Sequence, residues 1–423
     1  MVDQRRAERR QAGLVLALLG AVILVVVALT TPWHALPAGA PYVPPDPARD
    51  FTPAEIARAA AFDAAVGPPA YLSLGLTVLF AGLLVATPFG AKVLGVLRGP
   101  WWVRVILGVL LLTAILELLR WPLGVWYEIQ LRDFGLSTQT WASWNADRLK
   151  SVGVSVVLTS IMVVAVIALA RRFRRWWIPA AAGAALLTVV ASFVYPIVFE
   201  PLFNDFRPMQ AGPLRSDLLA MAARDGVPVE DVLVADASRR TTALNAYVSG
   251  FGATRRIVVY DTLLKAPADE VELVVAHELG HAKYDDVLNG TLIGALGAAF
   301  GAVLLYWAAL AVRRRTRLPG SSPLADPLAV GVLMGLVSLA TVLSGPAQNL
   351  ISRHVEARAD VHALDLTRDP APFIAMQQRL ATTNLSDLSP DVVEYVLYAS
   401  HPTAPERIAL ARSWAELNDL PVP

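Results

Sequence analysis

Seven stretches of this chain are apolar for long enough to cross about 30 Å of hydrocarbon at about 1.5 Å of helix rise per residue. They cover residues 12–32, 71–91, 103–125, 151–170, 177–198, 288–312 and 327–348. Hydrocarbon offers no water to unpaired backbone N–H and C=O groups, so such stretches can settle there only as helices. The fold class that follows is an all-α polytopic membrane protein with about seven transmembrane helices. The composition agrees, with 55% hydrophobic and 17% charged residues and a mean hydropathy of +0.51. A signal peptide is an alternative reading of the first span. "MVDQRRAERR" is a basic leader and "LPAGA" offers small residues for cleavage, although the apolar run is longer than a usual signal core.

The net charge of +1 and the scatter of arginines into short clusters beside apolar runs leave no basic patch for a nucleic-acid partner. The chain has no cysteine. Disulfides, thiolate metal ligands and a cysteine nucleophile are excluded, and any metal must be held by histidine and carboxylate. Two regions lie outside the spans. Residues 34–68 are proline-rich and read as an extended connector leading into a short helix over "PAEIARAAAFDAA". Residues 199–287 together with 349–423 have enough polar and β-forming character for a small globular domain. "DVLVADAS", "NAYVSGF" and "RRIVVYDTLL" read there as three short strands.

Within that domain, "VVAHELGHAKYDD" places His277 and His281 four residues apart with Glu278 directly after the first. Residues four apart on a helix are about 40° apart around its axis, so both imidazoles leave one face and can share a cation. This is the HExxH pattern, in which two histidines bind Zn²⁺ and the glutamate acts on a bound water. A catalytic zinc takes three protein ligands and keeps one position open. A source for the third is "QNLISRHVEARADVHAL", where Asn349, Arg353, Glu356 and Asp360 form one polar stripe at the end of the last span. Glu356 is placed to be the third ligand. Asp360, one turn on, can hold the far nitrogen of a zinc histidine, His277 above all. A solvated face with Arg353 paired to Glu356 would give the same spacing. His354 and His362 fall off the stripe and read as surface or packing residues. In "ASHPTAPERIALA", His401 and Arg407 bracket a helix start capped by "TAPE" and are candidates to stabilise an oxyanion.

Taken together, these motifs resemble the type-I CAAX prenyl proteases, integral-membrane zinc metallopeptidases. "LGVWYEIQLRDFGLSTQTWASWNADRLK", "SRRTTALNAYVSGFGATRRIVVYDTLL", "HELGH", "NLISRHVEARAD" and "SHPTAPERI" stand in the family's order over nearly the whole chain. The resemblance implies one Zn²⁺ on His277, His281 and Glu356, Glu278 as general base and proton shuttle, and Asp360 with Asn349 and Arg353 supporting the ligands. It implies active-site roles for His401 and Arg407. It implies that Asn245, Ala246 and Tyr247 present a strand edge to the substrate backbone, and that seven helices enclose a water-filled chamber. The expected division is 1–205, with five transmembrane helices, and 206–423, an α+β zinc-metallopeptidase domain including helices six and seven.

The basic clusters at 5–10, 171–175 and 313–317, with Lys92, Arg98 and Arg104, are mutually consistent with a cytoplasmic amino terminus. They put the zinc site on the outer side, whereas the family's eukaryotic members are described with it facing the cytosol. Richness in Ala, Arg, Val and Pro points to a bacterial plasma membrane, where prenylated proteins are not expected. The expected partners are the bilayer and a peptide or protein substrate, lipidated or CAAX-like, with the enzyme a monomer. A broad-specificity quality-control protease is one alternative. A non-catalytic membrane binding or transport protein with a structural zinc is another.

Overall fold

A computed structural model describes residues 2–316 and 323–423, without the side chains of 2–5, 253, 313–315 and 323. Of the basic clusters, Arg317 lies outside the described residues, as do the side chains of Arg5 and of Arg313, Arg314 and Arg315. Helix α1 (Val2–Thr30) leads through α2 (Pro47–Asp50) into α3 (Pro53–Ala86), and α4 (Phe89–Leu94) turns the chain into α5 (Trp101–Asp133). Next come α6 (Trp141–Arg172), α7 (Trp177–Val194), a π-helical turn over Tyr195–Phe199, and α8 (Glu200–Phe203). The globular part contains β1 (Phe206–Pro208), α9 (Pro213–Asp225), β2 (Asp231–Ala235), β3 (Ala246–Ser249), β4 (Arg256–Tyr260) and α10 (Ala268–Lys283). The long helices α11 (Asp286–Thr316) and α12 (Val330–Thr367) return to the membrane, and α13 (Pro370–Asn384), α14 (Val392–Leu397) and α15 (Ala404–Leu417) finish the domain.

Among the described residues, seven helical segments are long and apolar enough to cross a membrane, and each overlaps one of the seven stretches read from the sequence. The separate short helix expected over 53–65 is instead the start of α3. Thr52 opens α3 with a reciprocal cap to Glu55, and Pro53 at the first position carries no N–H that needs a partner. Pro68 and Pro69 remove only two backbone hydrogen bonds. Phe62, packed against Leu136 and Leu385, anchors the aqueous half of the helix to the globular domain.

The membrane helices close a ring in which α3 packs on α5, α5 on α6, α6 on α7, α7 on α11, α11 on α12, and α12 back on α3; α1 lies against α11. One end of the ring is packed shut by Leu84, Leu94, Leu112, Ile167, Trp177 and Val330. On another side, α7 has no buried residue in its most apolar window.

The globular domain sits at the opposite end. Its sheet has the order β1-β2-β4-β3, with β2 and β4 parallel and the outer strands antiparallel to their neighbours. The three expected strands are present, while β1 was missed because three residues ending in proline carry no alternating pattern. Val271, Val275 and Leu279 on one face of α10 fill a core with Ile257 and Val259 of β4, Leu218 and Met221 of α9, Phe373 of α13, and Ile408 and Trp414 of α15.

Candidate active site

Asp269 and Glu270 in the first turn of α10 complement its helix dipole. Its apolar face, buried as described, fixes which way His277 and His281 point. They meet α12, and the approach depends on Gly280, where an added Cβ would lie 3.1 Å from both Cβ and Cδ2 of His362. His362 itself is buried and bonded to Asp225 at 2.9 Å, while His354 packs edge-on against Trp33.

At that junction, His277 Nε2 lies 3.1 Å from His281 Nε2 and 3.1 Å from Glu356 Oε2. His281 Nε2 and His401 Nε2 stand 3.6 and 3.3 Å from Glu356 Oε1. On the far side of each ring, His277 Nδ1 meets Asp360 at 2.9 Å and His281 Nδ1 meets Asp286 at 3.0 Å. A carboxylate only accepts, so each Nδ1 carries the proton and each Nε2 turns its lone pair toward Glu356. Three acceptors converging in this way call for a cation. Ligand atoms of His277, His281 and Glu356 all lie within 4.8 Å of one another, and two imidazoles with one carboxylate are a hydrolytic-metal donor set.

The electrostatics point the same way. Burial opposes protonation of His277, but the carboxylates of Asp360 and Glu356 on either side of the ring raise its pKa on balance. Burial likewise opposes protonation of His281, and the neighbouring carboxylates of Asp286 and Glu356 outweigh it, raising its pKa to about 10. The pocket therefore stabilises positive charge at the imidazoles. Beside them, burial pushes the half-buried Glu278 carboxyl above the usual carboxylate range. Glu278 and His277 line a cavity of about 710 Å³ with Asn245, Tyr260, Tyr398, His401 and Arg407.

The polar stripe of α12 divides by height. Glu356 and Asp360 reach the histidines. Asn349, two turns before Glu356, donates to the carbonyls of Val396 and Leu397, and Arg353, one turn before it, donates to those of Tyr395 and Ala399 while lying 4.3 Å over the Tyr395 ring. These two residues strap the segment that carries His401 instead of touching the imidazoles. The "TAPE" cap forms, with Thr403 N donating to Glu406 and Glu406 N to the Thr403 hydroxyl, and Tyr395 adds a bond to the same carboxylate. Burial keeps His401 below its ordinary pKa. Arg407 grips Asp360 with two nitrogens and comes within 3.3 Å of His277 Nδ1.

The "NAY" residues separate. Asn245 is exposed at the cavity, Ala246 is 2% exposed in the core, and Tyr247 packs edge-on against Tyr260 and is not part of the cavity wall. Their strand, β3, is the sheet's edge on this side. Two contributors escaped sequence reading. Asp286 is five residues past His281, off its helical face, and returns only because the chain reverses at Asp285 (φ 52°). Asn384 pins both backbone groups of Leu244 from 140 residues away, and no local pattern marks it.

A ring of membrane helices, a HExxH helix beside a cavity and a glutamate from a second helix meeting its histidines define a membrane-embedded metallopeptidase. Residues 208–415 match the model of peptidase family M48, and residues 70–205 match that of the CAAX prenyl protease N-terminal region, described as five membrane helices. This chain belongs to the CAAX prenyl protease family of M48 peptidases. It is 34% identical over 311 residues to the uncharacterized metalloprotease YhfN of Bacillus subtilis, covering 71% of each chain. To the CAAX prenyl protease 1 homolog of Arabidopsis thaliana it is 31% identical over 287 residues, 65% of each. With CAAX prenyl protease 1 of Saccharomyces cerevisiae the identity is 26% over 322 residues, 70% of each. The crystal structure of S. mikatae Ste24p shares its fold with a TM-score of 0.72, over 95% of this chain and 98% of that one, at 21% identity.

Proposed function

We propose that this protein is a zinc-dependent endopeptidase that hydrolyses peptide bonds of membrane-associated or lipidated, CAAX-like peptides. The observation that carries the reading is the convergence of two imidazole lone pairs and the Glu356 carboxylate beside the unligated Glu278. His277, His281 and Glu356 would hold one Zn²⁺, which when bound supplies Lewis acidity that acidifies water and polarises a carbonyl. Glu278, with its raised carboxyl pKa, takes the proton of the attacking water and returns it to the leaving amine. His401, held low in pKa at the cavity wall, donates a hydrogen bond toward the developing oxyanion. Asp360, gripped by Arg407, keeps His277 in the Nδ1–H tautomer. Extended substrate adds to the free edge of β3 near Asn245. The pairing stops at Leu244, whose N–H and C=O Asn384 has already taken.

Zinc with a glutamate free to work on water favours an enzyme over a binding protein with a structural site, which would be closed by a fourth protein ligand. The substrate class follows the names of the relatives, and a broad quality-control protease of the membrane uses the same apparatus. The division at 205/206 separates the first five membrane helices from the segment holding every site residue.

For orientation, Arg174 pairs with Glu8 at 3.1 Å and Arg171 donates to the Ala325 carbonyl, so the amino terminus, the α6–α7 turn and the start of α12 share one end. Glu356 lies roughly 40 Å further along α12 at 1.5 Å per residue. The positive-inside rule then places the amino terminus in the cytoplasm and the zinc outside.

Detergent-purified protein tests the function. Wild type is expected to bind one zinc and to cleave a C-terminal peptide in a chelator-sensitive way, with prenylated and unprenylated peptides compared. Glu278→Gln is expected to keep the zinc and lose cleavage by about 10²-fold or more. Turnover retained in Glu278→Gln would refute the assignment. A carboxyl-terminal reporter active only in the cytoplasm would refute the orientation.

A further inference from the structure

The two candidate zinc histidines are backed by two different carboxylates, Asp360 on the polar stripe of α12 and Asp286 at the start of α11. His277 rests on Asp360, which has no exposed surface and is held by Arg407. His281 rests on Asp286 at 3.0 Å. Asp286 is in turn held by the guanidinium of Arg358, which lies 4.4 Å over the Tyr284 ring. The two relays have the same order: imidazole, carboxylate, arginine.

The second relay differs in where its carboxylate stands. Asp286 is the first residue of membrane helix α11, so its charge sits at the positive end of that helix. Arg358 comes from α12, between the ligand Glu356 and Asp360. The carboxylate that orients a ligand of α10 is therefore fixed by the two membrane helices flanking it.

We propose that Asp286, held by Arg358, is a positioning residue for the metal: it fixes His281 in the Nδ1–H tautomer and ties metal retention to the seating of α11 against α12. The inference rests on the zinc reading above. Asp286 does not line the cavity, and its one contact with the metal-ligand set is His281. Removing such a carboxylate from a metal-bound imidazole weakens metal binding by roughly 10–100-fold. Asp286→Asn retains an oxygen to accept from His281 but loses its ion pair with Arg358.

The test measures zinc dissociation constants by chelator competition on full-length protein in detergent, with the visible spectrum of cobalt-substituted protein as a second readout. Asp286→Ala is expected to weaken zinc binding by about 10–100-fold and to alter the cobalt band. Asp286→Asn should recover part of the loss, and Arg358→Gln should weaken zinc while leaving every direct ligand in place. His281→Ala is the control. If it too retains zinc at wild-type affinity, the zinc assignment fails. If it loses zinc while Asp286→Ala and Arg358→Gln bind within threefold of wild type with unchanged cobalt spectra, the positioning role is overturned and the zinc assignment stands. Should Asp286→Ala not fold, Asp286→Asn and Arg358→Gln decide by the same criterion.

Discussion

Replacing Gly280 by alanine tests the packing that brings the histidine helix to its partner. Inside an exposed helix this change stabilises by about 1 kcal/mol, because alanine loses less backbone entropy on folding. Here the new methyl would stand 3.1 Å from Cβ and Cδ2 and 3.2 Å from Cγ of His362, against about 3.5–4.0 Å for a relaxed carbon contact. The outcome depends on whether His362 can retreat. It is 6% exposed, its Nε2 is fixed to Asp225 at 2.9 Å, Asp225 is paired with Lys283 of α10 itself, and Tyr284 closes the ring's side. A yielding neighbour is therefore lacking, and overpacking of about 1–3 kcal/mol sets against the propensity gain of about 1 kcal/mol. The expected net is a loss of about 0–2 kcal/mol, with α10 pushed off α12 and Glu356 moved relative to the imidazoles. Thermal unfolding of detergent-solubilised protein, with zinc content measured in parallel, gives the sign. His362→Ala should remove the clash, so the double variant should be more stable than the two single losses predict. A higher melting temperature for Gly280→Ala with full zinc occupancy would refute the reasoning.

Three further predictions come from the same geometry. Arg353→Gln cuts the strap to the carbonyls of Tyr395 and Ala399, so peptide turnover should fall while zinc content stays at one per chain, as read by metal analysis beside steady-state kinetics. Burial, together with Asp63, Asp387 and Asp391, raises the Glu394 carboxyl to about 7. A carboxyl whose folded pKa is raised favours the folded state while protonated, and that advantage is lost as pH climbs from its ordinary value of 4.5 through about 7. Glu394→Gln should accordingly raise the melting temperature at pH 8 and leave it unchanged at pH 4. Asn384→Ala frees both backbone groups of Leu244, and peptides extended by one residue on that side should gain in relative kcat/KM.

Much of this protein is fixed by local pattern. The seven spans are legible because hydrocarbon forces each to be both long and helical, and His277 and His281 are legible because one helical turn puts them on one face. Glu356 and Asp360 could be paired with those histidines because they continue a stripe that a membrane helix has no other use for. The tertiary structure decided what depends on chain reversal or on two helices meeting. It set Asp286 behind His281 through the turn at Asp285, and it made one stripe serve two purposes, with Asn349 and Arg353 holding the His401 segment. It also continued the aqueous helix at 53–65 into the membrane, since Phe62 finds its packing partners at Leu136 and Leu385, far along the chain. Periodicity reports which face a side chain leaves from, and only packing decides what stands opposite it.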